Sequence, residues 1–282
     1  CSMDKGPSLH PACHKIILEK GKEAGATWSI VPWQAEDMLS IFNSQYQVCF
    51  ARRYRLTRPE MAKSPNACDC GHRRGMPGYD EMGDHDEGTC KKNGHARKEA
   101  HDSWGNTWMA FLNACGMRGV KMEVLDWAPR GRNDWANVPD IVCQGPMGIK
   151  SYIIDCRIAW NHTTGGGKSY KKTGDLAIEG ERKKREKWDL ACSEHRDFTT
   201  GNTDFVPLSA EVTGGWGPAA KSFFNEGVKW AGQGRDVDLY TWSSASFEGF
   251  WKQALAACMA RERGKVGLKA RLRTTDVSNA TT

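Results

Sequence analysis

"VPDIVCQGPMGIKSYIIDCRIAW", Val138 to Trp160, reads as two short apolar strands around a glycine turn. Each strand carries one acid: Asp140 stands directly after Pro139 at the head of the first, and Asp155 lies within the second. Residues two apart on a strand share a face. Ile153, Asp155, Arg157 and Ala159 therefore point one way, and Tyr152, Ile154, Cys156, Ile158 and Trp160 the other. Asp140, on the neighbouring strand, falls across from Asp155. Two carboxylates converging from adjacent strands make an oxygen-lined site for a divalent ion such as Mg2+, the logic of phosphodiester cleavage. The same residues also fit a plainer arrangement, an ion pair between Asp155 and Arg157 with Asp140 capping a turn.

Upstream, residues 97–115 carry Trp104, Trp108, Phe111 and Leu112 on one helical face, closed by Gly116 and Gly119, and "VKMEVLDW" follows as a strand. Downstream, the glycine-rich "NHTTGGGKSYKKTG" leads into a charged helix over about 175–195. Next come the strand "TDFVPLSAEVTGGWG", a helix with Pro218 in its first turn, and the amphipathic "SASFEGFWKQALAACMARERGK", which becomes a basic tail. Helix, three strands, helix, strand, helix predicts an α/β protein. Its mixed sheet is flanked by helices, with hairpins joining the first strands and a helical crossover reaching the last. The predicted divisions are a helical or linker region at 1–60, a metal-binding loop module at 61–96, the α/β core at 97–240, and a C-terminal helix and basic tail at 241–282.

On the charged helix, Glu181, Lys184, Lys187 and Trp188 fall near one stripe, so a lysine from this helix could reach the sheet-borne carboxylates. Glu123 is a candidate further ligand, and Glu211 a candidate support for the turn after it.

Residues 61–94 are polar, glycine-rich and aperiodic, with no core of their own. Cys68-x-Cys70 and His85-x4-Cys90 supply three thiolates and an imidazole, the tetrahedral donor set that Zn2+ prefers, and a coreless loop has a use for it. His72 and His95 compete with His85 for the imidazole position. Most of the other cysteines among the eleven lie in apolar strand or helix contexts, which suits a reducing compartment and not a disulfide framework.

The 282 residues are 39% hydrophobic with twelve tryptophans, enough for a sizeable core, and no apolar run approaches the roughly 20 residues of a membrane span. The net charge of +6 suits a nucleic-acid partner without demanding one. Arg182 and Lys183 on the central helix, and Arg263, Lys265 and Lys269 near the C-terminus, are the candidate phosphate contacts.

Taken in order, "AGATWSIVP", "ARRYRL", "CDCG", "DHDEGTC", "VKMEV", "PDIV", "YIIDCRI", "KKREKW", "FVPLSAEVTGGWG" and "FWKQALAACMARERGKVGLKARL" resemble the C-terminal region of reverse transcriptases from non-LTR retrotransposons that carry a restriction-like endonuclease. The resemblance runs from about Ala24 to Arg273. It implies a zinc knuckle formed by Cys68, Cys70, His85 and Cys90, followed by a PD-(D/E)XK fold with Asp140 and Asp155 as its acids. The cationic group would be Lys184 or Lys187, in a K-x-x-K stretch followed here by Trp188 in place of tyrosine. His101 matches a histidine usually followed by asparagine, whereas Asp102 stands here. The implied activity is Mg2+-dependent nicking of target DNA to prime reverse transcription. A polymerase would be supplied by a reverse transcriptase or larger assembly, and the expected location is inside the cell, in the nucleus. A domesticated, inactive descendant that binds DNA or RNA, or serves as a structural subunit, is the alternative.

Overall fold

The structure is a computed structural model and describes residues 70, 85, 88, 90–124, 138–160, 174–194, 201–232 and 246–279, with side chains to 269. The helix predicted within 1–60, and Cys68 and His72, lie outside these residues.

A short 3-10 turn over Lys91–Asn93 runs into α1 (Gly94–Ala114), whose Trp104, Trp108, Phe111 and Leu112 face inward as their spacing predicts. Four strands follow in the sheet order β1 (Arg118–Met122), β2 (Ile141–Gln144), β3 (Ser151–Ala159) and β4 (Thr203–Glu211). The first three form an antiparallel meander. β4 joins β3 in parallel after a crossover through α2 (Asp175–Glu194). Two further helices, α3 (Pro218–Ala231) and α4 (Phe247–Asn279), follow among the described residues. The mixed sheet flanked by helices is thus present, in the expected order.

β1 begins earlier than the run "VKMEVLDW" suggests, and it ends earlier because Glu123 adopts φ 49°, a conformation that breaks a strand. As an exposed edge strand bulged between Arg118 and Lys121, β1 packs little and leaves a weak pattern.

The two faces of the sheet are covered unequally. Tyr152, Ile154 and Cys156 of β3 and Val206, Leu208 and Ala210 of β4 meet α1, α3 and α4 in one core rich in tryptophan and phenylalanine. Trp108 contacts Trp104, Trp216, Phe223 and Phe224, and Phe111 stacks on Phe224 at 4.8 Å. The opposite face, with Ile153, Asp155 and Arg157, lies under α2. Gly180 lets α2 come close: a Cβ there would fall 2.4 Å from the Ser209 hydroxyl and 3.0 Å from Arg157 Cδ.

Trp251, Leu255 and Met259 of α4 share the core of Trp104 and Trp108, so the predicted boundary at 240/241 falls beside one common core. The basic segment after Met259 is helical. α4 runs through it and is buried on most sides to Gly267, with Lys269 tied to Glu99 of α1.

Candidate functional site

β3 runs on past the start of β2, whose last paired residue on that side is Ile141, opposite Ile154. The Cys156 N–H beyond it is met by the carboxylate of Asp140, at 2.5 Å, in place of a strand neighbour. Pro139 and Asp140 thus turn back onto β3 and hold the Asp140 carboxylate beside Asp155, close enough for the two to share a hydrogen bond. Glu123 reaches the site through its backbone, donating its N–H to the Asp140 carbonyl at 3.1 Å.

The opposite sides of the two acids are occupied by cations. Lys184 of α2 hydrogen-bonds Asp155. His101 of α1 places Nε2 3.3 Å from Asp140 Oδ2 and 3.1 Å from the Cys156 carbonyl, with Nδ1 3.4 Å from Asp102. Acceptors flank both ring nitrogens, which favours the imidazolium. The hydrogen bond to Asp140, working against burial, raises the His101 pKa to about 9. Lys98, 2.8 Å from Asp102, ends the row.

Lys98, Asp102, His101, Asp140, Asp155 and Lys184 therefore alternate in charge except at one step, where two carboxylates meet. Burial pushes Asp155 up to about 6, and Asp140 adds to this while Lys184 opposes it. Burial also raises Asp140, but His101, the contact with Asp155 and the Cys156 N–H together hold that acid below the usual carboxylate range. A carboxylate pair with one acid held ionised and the other reluctant to ionise accepts either a proton or a cation between its oxygens. This oxygen donor set fits a hard divalent ion such as Mg2+. The acids open onto a cleft lined by Val138, Pro139, Asp140, Asp155, Lys184, Lys187, Trp188 and Phe205.

Two buried glutamates fix the scaffold. Glu211, at the end of β4, accepts the N–H groups of Gly174 and Leu176 at 2.9 and 3.0 Å, capping α2 from a distant strand, and Thr213 donates to its other oxygen. The support Glu211 offers thus extends beyond the turn that follows it. Glu181 lies on the predicted stripe of α2 but turns away from the cleft and accepts the Ala219 and Ala220 N–H groups at the start of α3. Gly217 leaves room for this cap, since a Cβ there would lie 2.0 Å from Glu181 Oε1.

Asp140, Asp155, Lys184 and Lys187 are therefore brought together. Arg157, read in sequence as a partner of Asp155, packs its side chain beside Gly180. The candidate phosphate contacts lie outside the cleft lining. Arg182 pairs with Glu179 and Glu186, Lys183 with Glu179, Lys265 with Glu262 and Lys269 with Glu99. Arg263 is 6% exposed and donates to the Val212 carbonyl.

A separate cluster brings Cys70, His85 and Cys90 together, with their ligand atoms within 4.8 Å of one another. Cys70 Sγ lies 3.1 Å from His85 Nε2, and His85 and Cys90 are each 2% exposed. Two sulfurs and an imidazole could hold a metal ion. Among the described histidines His85 is in place, whereas His95 pairs with Glu99. Arg97 anchors Cys90 to α1 through the Cys90 carbonyl at 2.9 Å.

No described helix is long and apolar enough to cross a membrane. Comparisons with protein-family models and with curated proteins find no match for this chain.

Proposed function

We propose that this chain is a metal-dependent DNA endonuclease domain that nicks target DNA for retrotransposon integration, with restriction-like architecture and a nuclear location. The single like-charge step between Asp140 and Asp155, in an otherwise alternating row of charges, carries the reading. Asp140 and Asp155 would hold Mg2+, which when bound acidifies a water and offsets charge on the phosphate. His101 keeps Asp140 ionised and oriented. Lys184 offsets charge beside Asp155, and Lys187 attracts a neighbouring phosphate. Zn2+ on Cys70, His85 and Cys90, with Cys68 as fourth ligand, braces the segment leading into α1. A polymerase partner supplies the reverse transcription.

The test is nicking of supercoiled plasmid with Mg2+ or Mn2+ by the intact chain. Nicking that disappears in Asp140→Ala and Asp155→Ala supports the reading, and DNA binding without nicking in either metal sinks it. Bound zinc, measured by elemental analysis, is expected to drop in Cys90→Ser. Full retention there would remove Cys90 from the ligand set.

The acid partners of Arg182, Lys183, Lys265 and Lys269 favour the structural form of a second reading, since they offset the charge a phosphate would meet. A domesticated, inactive descendant serving as a structural subunit would retain zinc and not nick DNA, whereas the nucleic-acid-binding form of that reading requires salt-sensitive binding of DNA or RNA without divalent-ion dependence.

A further inference from the structure

The cleft beside the two acids has an apolar side for which phosphate chemistry alone has no use. Val138, Pro139, Trp188 and Phe205 line it together with Asp140, Asp155, Lys184 and Lys187. Trp188 of α2 and Phe205 of β4 stack face to face, with centroids 4.7 Å apart and planes 2° from parallel. Both are only half-buried. Among the described residues this is the one aromatic pair on the α2 face of the sheet. The aromatic contacts around Trp104, Trp108, Phe111 and Phe224 belong to the core on the opposite face.

Lys184 and Trp188 are four residues apart on one helix, which places them on the same stripe about 5–6 Å apart at Cβ. A cation and an aromatic surface at this spacing match the two ends of a single nucleotide. Lysine meets the phosphate, and the outer face of one ring of the pair meets the flat face of the base. In a continuous duplex the bases are stacked inside and only the backbone would reach the acids. For a base to extend the Trp188–Phe205 stack while its phosphate lies at Lys184 and Asp155, it must leave the duplex stack. Mutual stacking already fixes both rings, so little side-chain freedom remains to be lost on binding.

We infer that the cleft receives a nucleotide with its base turned out against Trp188 and Phe205, so that the preferred substrate is DNA carrying unpaired bases at the cleavage position. The inference rests on the nuclease reading for its phosphate position and adds a substrate class to it.

The experiment measures affinity of the full chain for a matched duplex and for the same duplex with a short unpaired stretch, using Ca2+ in place of Mg2+ and 2-aminopurine in the unpaired stretch. The unpaired DNA is expected to bind about tenfold more tightly, with the 2-aminopurine emission quenched by stacking. Trp188→Ala should bring the ratio of the two affinities close to one, and Trp188→Tyr should retain most of it. Phe205→Leu provides the same test if Trp188→Ala fails to fold. Equal affinity of the wild type for both DNAs overturns the inference, as does a proportional loss on both DNAs in Trp188→Ala with the quenching intact. Failure to bind either DNA overturns it too. Nicking of matched duplex without preference removes this inference alone. A preference without nicking in Mg2+ or Mn2+ removes the nuclease reading and leaves the stacking platform.

Discussion

Asp140 and Asp155 differ from Glu181 and Glu211 in what surrounds them, although all four acids are drawn into the fold. Each glutamate accepts two backbone N–H groups at the start of a helix, so its charge is answered by fixed donors. The aspartates, of which Asp140 takes a single backbone N–H, from Cys156, face each other, and the cations beside them leave one like-charge contact unanswered. Where backbone donors satisfy a buried acid, its job is to hold elements together. An acid whose neighbour is another acid is held in reserve for a proton or a cation.

Substitution of the aspartates puts the greatest strain on this contrast. Asp155→Asn and Asp140→Asn are expected to lower nicking by more than about 100-fold. Because the fold disfavours ionised Asp155, Asp155→Asn should leave the melting temperature at pH 7 unchanged or raise it. A marked fall in melting temperature with nicking retained would reverse the assignment.

Glu211→Ala and Glu181→Ala should behave in the opposite way. Each leaves two backbone N–H groups without their acceptor and should cost about 1–3 kcal/mol in chemical denaturation. Glu211→Ala should also reduce nicking, since Glu211 holds the start of the helix that carries Lys184. Two variants as stable as the wild type would show that the caps contribute nothing.

The smallest effect concerns pH. The His101 pKa is raised from 6.5 to about 9 in the folded chain, so its contribution to stability is complete below pH 6.5 and is lost as pH rises through about 9. His101→Gln should flatten the decline in melting temperature across that window. An unchanged slope would mean that His101 and Asp140 are not coupled.

Much of the sheet could be read from local pattern. Short apolar runs between turns located β2, β3 and β4, and the strand period set Asp155 apart from Tyr152, Ile154 and Cys156. The stripe of Lys184, Lys187 and Trp188 was visible for the same reason, as a helical period brings them to one face. The partners of Glu181 and Glu211 were not legible: a carboxylate that caps a helix 37 or 39 positions away in the chain leaves no mark in its own neighbourhood. The contact between Arg157 and α2 was hidden too, because it depends on Gly180 admitting the helix. Arg263 looked like one more basic residue until the fold placed a carbonyl against it. His101 carried a resemblance but no role, since the acid it holds lies across the sheet.

The cap on α2 also determines which changes of chain length the cleft can absorb. Glu211 grips the peptide N–H groups of Gly174 and Leu176, so the phase of the helix is counted from that point. A residue gained or lost before Gly174 leaves Lys184 in register with Asp155. One gained or lost between Leu176 and Lys184 rotates the lysine by about 100° and carries it out of reach. Length variation in descendants of this chain should therefore collect on one side of Gly174 and stop at the other.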